Sequence, residues 1–261
     1  MIKFFRNIRK GLLREGKTAK YLKYAVGEII LVVAGILIAL QINNLNEERK
    51  ESDREQAVLK QLKSEFSSNL GQLDSKIALR VDMMRDLEDC LNYFASQEVA
   101  SDSLFTAKLN SLLLPLTFDP IQNDLVSSGN IQILKNIQLK QILTNWTSDV
   151  HQLREVEQLY VDYFSHSIVP FFDKTGTGRN VIKYFWEDST RTSYLMEEFD
   201  KSNLKLTEST ISDSSLSLLA NAELESIVSM AYALNITNSY ESKGLRKRII
   251  DILKLIDSEI R

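Results

Sequence analysis

The sequence predicts an all-α protein: a single N-terminal transmembrane helix continues into a long stalk helix and an antiparallel helical bundle. Three observations carry that prediction. Residues 24–43 form an apolar run with one charge, Glu28. Glycine and proline are scarce, nine and three in 261 residues, and strand-like alternation is rare. From Leu59 onward, apolar residues recur at a mean step of about 3.5, the period of packed helices.

Residues 1–23 set the orientation. They hold eight basic residues and one acid, Glu15, a net charge of +7, against −10 for residues 24–261. Lys and Arg beside a first membrane helix are retained on the cytoplasmic side. The N-terminus is therefore expected in the cytoplasm and the C-terminal domain in the periplasm of a Gram-negative bacterium. Ile2, Phe5, Ile8 and Leu12 recur at helical spacing, with basic residues mostly outside that stripe. Such an amphipathic tail lies along the inner leaflet, with Lys3, Arg6, Arg9, Lys10 and Arg14 expected on anionic headgroups at about 1 kcal/mol each. The acidic remainder gives no support for nucleic-acid binding.

Residues 24–43 are the length needed to cross about 30 Å of hydrocarbon. A cleaved signal peptide has a shorter apolar core and a small-residue cleavage site, whereas this run closes on Gln41-Ile42-Asn43-Asn44. The expectation is an uncleaved signal anchor. At the helical turn of about 100° per residue, Glu28, Gly35 and Ala39 fall within an arc of about 40°. Val26, Ile29, Val33, Ile36, Leu37 and Leu40 lie opposite, towards lipid. Gly35-x-x-x-Ala39 allows close approach of a second helix. The three residues mark an expected contact with another copy or another membrane protein. The open alternative for Glu28 is snorkelling to water or pairing with Lys20 or Lys23. Eleven Val, Ile and Leu residues contribute about −3 to −7 kcal/mol to insertion, which exceeds the about 2.5–3.5 kcal/mol cost of a central acid.

Residues 44–58 are polar all round and are expected to continue the helix as a solvated stalk. The domain beyond, 59–261, is read as a bundle. Its first stripe is Leu59, Leu62, Phe66, Leu70, Leu73, Ile77, Val81, Met84, Leu87, Leu91 and Phe94. Shorter helices fit Ser103–Leu114 and Pro120–Val126. A second long helix runs from Asn136 to about Val169, marked by Leu139, Leu143, Trp146, Val150, Leu153, Tyr160, Tyr163 and Phe164, and ends at Pro170. The Thr175–Gly178 stretch makes a loop, and Lys205-Leu206-Thr207 is a candidate extended segment. A C-terminal pair, Ala222 to Ser242 and Leu245 to Ile260, completes the bundle. The segments 134–143 and 219–228 echo one another at an offset of 85, with Asn136 and Asn221 placed as N-caps.

Chemistry-bearing patterns are few. His151 and His166 lack the neighbour spacing of a zinc site. Cys90 is the only cysteine, so it is read as buried filler, with an interchain disulfide as the alternative. Ser127-Ser128-Gly129 lacks a nucleophile elbow, and the adjoining Gly129-Asn130 is read as a turn between helices. The loop Thr175–Arg179 lacks the Lys-Ser/Thr ending of a phosphate loop. Glu155/Glu157 and Glu197/Glu198 are read as solvated helix faces. No catalytic, metal or cofactor site is expected, and the chain is not read as an enzyme.

Met1-Ile-Lys-Phe-Phe-Arg6, the run from Tyr24 to Asn44, and Asn46-Glu47 resemble an uncharacterised family of bacterial single-span membrane proteins, known only as a domain of unknown function. The signature Gly-Glu-Ile-x-Leu-Val-x-x-Gly-Ile-Leu-Ile-Ala-Leu-Gln-Ile-Asn-Asn is met at residues 27–44. The likeness continues through Ser127–Asn136 to the C-terminal helices. Leu45 stands where such proteins carry Trp, removing an interfacial aromatic anchor. The resemblance implies the Gram-negative inner membrane and supports the single-pass topology, and it lends no activity. The expectation is a membrane-anchored scaffold or interaction subunit. It would touch the bilayer, itself or another membrane protein, and a periplasmic protein of unknown identity. The alternative is a sensor-like bundle that binds a small ligand and signals through a partner.

Overall fold

The computed structural model describes residues 18–99, 101–121, 130–195, 200, 202 and 204–261. Among these, every regular element is helical. The chain forms two units, Met1–Val58 and Leu59–Arg261, and helix α1 (Thr18–Ser96) enters both.

In the first unit, α1 is exposed at every residue from 29 to 51. It is the one described helix long and apolar enough to cross a membrane, and none of its apolar window is buried. A core helix of a water-soluble domain would bury that stripe. The helix continues through residues 44–58 without interruption, and Lys50 pairs with Glu47 at 3.0 Å in this stretch.

The second unit is built on three long helices: α1 from Leu59 onward, α3 (Ile137–Tyr163) and α8 (Ala222–Glu259). Cross-contacts give their directions. Lys63 meets Asp257, Asp74 meets Arg246 and Arg80 meets Ser242, so α1 and α8 are antiparallel. Asn136 meets Glu259 and Gln152 meets Glu241, so α3 and α8 are antiparallel as well. Phe66 packs on Trp146 and Arg80 on Glu157, which makes α1 and α3 parallel.

Parallel neighbours require a connection that returns along the bundle. After α1 come α2 (Asp102–Lys108) and a 3-10 turn, Leu109–Leu112. The chain then runs back without regular structure, with Leu114, Leu116, Phe118 and Pro120 buried and Thr117 and Asp119 exposed. This period of two is that of an extended strand, but no strand lies beside it among the described residues.

The α1 seam differs from the apolar stripe read in the sequence. Its central line of buried positions is Leu59, Leu62, Phe66, Asn69, Leu73, Lys76, Arg80, Met83, Leu87, Cys90 and Phe94, in alternating steps of three and four, with Glu65 and Leu79 buried beside it. The apolar reading slides off this seam in the middle, because positions 69, 76 and 80 are polar. Val81, assigned there to the core, is 43% exposed.

Two other helix limits differ from expectation. Pro170 does not end the second long helix. A π-helical turn, Phe164–Ile168, widens the coil before the proline, which lies in the first turn of α4 (Val169–Thr175). Gly176, at φ 66°, then closes α4 in the left-handed region. The expected C-terminal pair is one helix, α8, running through Gly244; the gap in its apolar stripe is filled by buried Asn235, Asn238, Ser239 and Ser242. Asn136 and Asn221 do cap α3 and α8, accepting from Leu139 N and from Glu223 N and Leu224 N. Between α4 and α8 lie α5 (Gly178–Glu187), α6 (Ser189–Thr192) and α7 (Ser215–Leu219). Lys205-Leu206-Thr207 has no regular structure. Of the expected Pro120–Val126 helix only Pro120 and Ile121 are described, without regular structure, and of the Gly129-Asn130 turn only Asn130, which opens a 3-10 turn, Asn130–Ile133.

The position of the seam can be tested by direct comparison. Leu73→Ala is expected to destabilise the full chain by about 2–5 kcal/mol. Val81→Ala, at the position the apolar stripe favoured, should cost less than about 1 kcal/mol. Denaturant melts of both variants in detergent decide it: equal losses would place the seam where the apolar pattern put it.

Candidate functional site

The residues singled out on the apolar stretch of α1 differ in exposure. Gly35 and Ala39 are exposed and Glu28 is half-buried. A Cβ built on Gly35 meets nothing within 4 Å, so the face is open to a partner backbone. Lys3, Arg6, Arg9, Lys10 and Arg14 lie outside the described residues.

The sequence did not point to the polar layer inside the bundle. Arg80 projects from α1 and Glu157 from α3, each side chain 1% exposed, with Nη2 of the first 3.0 Å from Oε1 of the second. Glu157, read as part of a solvated acidic pair, is buried; Glu155 remains at the surface, where it meets His151 at 3.3 Å. The physical reason lies in the return segment. Glu157 Oε2 accepts from the Phe118 amide at 2.7 Å. Arg80 donates through Nη2 to the Leu116 carbonyl at 3.4 Å. It also reaches α8, through Nη1, at Ser242 Oγ (2.6 Å) and the Asn238 carbonyl (3.4 Å). Nearer the start of the seam, Asn69 donates to the Ile121 carbonyl at 3.1 Å and accepts from its amide at 2.8 Å. These side chains supply the partners that a neighbouring strand would provide.

Burial is the main influence on both ions. It pushes the Glu157 carboxyl up, against the Phe118 amide and the Arg80 charge. It pushes the Arg80 guanidinium down, against Glu157. The layer is not fully matched: Arg80 Nε and Asn238 Oδ1 have no hydrogen-bond partner among the described residues, each a desolvation cost of about 1–3 kcal/mol. Tyr160, beside it, donates to the Leu112 carbonyl at 3.3 Å, and burial pushes its phenol up.

A second cluster anchors α6. Arg191, 0% exposed, donates to Asp82 (3.0 Å), Asp86 (2.5 Å), Ser111 (2.8 Å) and Asn110 (3.2 Å). Lys108 completes it with Asp86 and Asp89 at 3.0 and 2.7 Å. Against burial, which lowers it, these carboxylates hold the Lys108 ammonium above its usual range. Cys90 is buried. Burial, then the Asp86 charge, pushes its thiol up to about 12.

Chemically, these arrangements hold backbone and helices together. The carboxylates of the two clusters are engaged by cations or amides. No group of three or more His, Cys, Asp or Glu suited to a metal ion occurs among the described residues. A sequence signal for the layer did exist: a strict three-four lattice drawn from Leu59 to Phe94 lands on Asn69, Lys76 and Arg80.

Residues 28–154 match a family of unknown function, DUF6090. The match takes in most of the apolar stretch of α1, the polar stretch after it and the bundle as far as Arg154 in α3. No curated protein and no solved structure matches the chain.

Removing one ion of the layer strands the other. Arg80→Met is expected to destabilise the chain by about 3–5 kcal/mol, read by denaturant titration in detergent. A loss under about 1 kcal/mol would show that the pair is not closed to water. Cys90 gives a second check. At pH 8 its thiol should resist maleimide until denaturant opens the bundle, and prompt labelling of the native chain would contradict its burial.

Proposed function

We propose that the chain is a membrane-anchored scaffold or interaction subunit of the bacterial inner membrane, with its N-terminus cytoplasmic and its helical bundle in the periplasm. The observation that carries this reading is the wholly exposed apolar stretch of α1, which lipid would solvate and water would not. The +7 charge of residues 1–23 supports the orientation. The basic tail would hold anionic headgroups, and the Glu28, Gly35 and Ala39 face would meet another copy or another membrane protein. The bundle would engage a periplasmic protein. Its buried polar groups serve its own backbone, which favours a binding role over catalysis.

Gly35 offers a test that separates partner from fold. Because a side chain there meets nothing in its own chain, Gly35→Leu should leave folding unchanged and still weaken a helix–helix contact. Crosslinking in intact membranes followed by mass spectrometry should recover self-linked or partner-linked chains, with yields reduced severalfold by Gly35→Leu and by Glu28→Gln. Unchanged yields in both variants would remove that face as an interface. Absence of any crosslink would remove the scaffold reading.

A further inference from the structure

One face of α1 continues from the apolar stretch into the polar stretch after it. At the helical turn of about 100° per residue, Gly35, Ala39, Ile42, Asn46, Arg49 and Asp53 lie within about 40° of one line. They recur in steps of four, three, four, three and four, the lattice on which two helices pack along their length. All six are exposed, and a Cβ at Gly35 meets nothing within 4 Å. On the flank, Lys50 pairs with Glu47. On the face itself, Asn46, Arg49 and Asp53 form no hydrogen bond or ion pair among the described residues. Arg49 and Asp53 are opposite charges four residues apart, but the basic one comes first, the weaker order for pairing along a single helix.

Two copies anchored in one membrane from the same side hold their α1 helices parallel. A two-fold axis along the helices then sets each residue of the face opposite its own counterpart. The small residues at 35 and 39 let the backbones approach. The two Asn46 amides meet across the axis, each with a donor and an acceptor for the other, and a single Asn in such a seam fixes a parallel register. Arg49 lies about 40° off the line, so the two arginines fall on opposite flanks while each Asp53 stays central. Asp53 is four residues, about 6 Å, further along the axis, within reach of the other copy's Arg49. Charges left unpaired in one chain thus become two ion pairs between chains, which an apolar partner helix would not supply. We propose that the face Asn46–Asp53 pairs with the same face of a second copy, parallel and in register. The direction rests on the membrane-anchored reading; the pairing carries the Gly35 and Ala39 face beyond the lipid and commits it to a self-contact.

The test uses the full chain in intact membranes. On mild oxidation Asn46→Cys, at the centre of the face, should give a disulfide-linked dimer. Glu48→Cys, on the opposite side of the helix, should give severalfold less, and Cys90 is buried, so the unsubstituted chain is the blank. Charge supplies the second readout. In the Asn46→Cys chain, Arg49→Asp fills the contact with acids and Asp53→Arg fills it with cations, so each alone should lower the yield severalfold. Co-expressing the two should restore it, which only pairing between chains can do. Equal yields at 46 and 48, or no recovery on co-expression, overturns the proposal. Gly35→Cys separates it from the reading it rests on: a dimer at 35 without one at 46 overturns this proposal alone, whereas release of the chain by carbonate washing overturns the membrane reading itself. All the substituted positions are exposed, so unchanged thermal melts in detergent confirm that folding is intact.

Discussion

The bundle depends on how its return segment is satisfied. Because α1 and α3 run parallel, the chain between them has to travel back along the groove. It does so extended, burying every second residue from Leu114 to Pro120. An extended backbone in a dry groove presents N–H and C=O groups that need partners. With no strand to pair with among the described residues, those partners have to be side chains long enough to reach from the flanking helices. Asn69, Arg80 and Glu157 meet that need. The buried charges are thus a consequence of topology. Desolvating an ion costs several kcal/mol, and the layer offsets this by combining an ion pair with bonds to two backbone sites and to α8.

That origin explains which parts of the fold could be read from the sequence. The long apolar helix near the N-terminus, its unbroken continuation and the start of buried packing at Leu59 follow from composition and period. The caps at Asn136 and Asn221 follow from local hydrogen-bonding chemistry. These are short-range statements, and short-range signals are visible in one chain. The parallel arrangement of α1 and α3 is set by contacts far apart in sequence, and no local pattern reports it. Its side effects then disguised the core. Asn69, Lys76 and Arg80 occupy seam positions that an apolar pattern skips, so the pattern shifts to Ile77 and Val81 on the neighbouring face. In α8, Asn235 to Ser242 produce the same effect, and one helix reads as two. Period is the safer guide here: the flanking apolar positions fix the lattice, and the polar residues inside it are the finding.

The same layer accounts for the division of labour among charged residues. Arg80 bridges α1 to α3 and to α8, while Arg191 ties α6 to α1 through Asp82 and Asp86. Both are arginines, and the planar guanidinium can serve several acceptors at once where an ammonium would serve them poorly. Lys108 and Lys183 stand at half-open sites, where water can complete their coordination, whereas the buried Lys76 meets the hydroxyl and ring face of Tyr194. A substitution of lysine at position 80 would keep the charge but lose the simultaneous reach to Glu157, Leu116 and Ser242.

Two charge-poor helical runs in this chain, one holding only Glu28 and the other no charge, have different physical meanings. The run at 24–43 is about as long as a bilayer core is thick, apolar almost throughout, and buries nothing. The run at 226–240 is shorter than a span, and its inward side is partly polar because it faces Arg80 and Tyr160. Length and the polarity of the buried side therefore separate a helix apolar enough for lipid to solvate from one that packs within its own bundle.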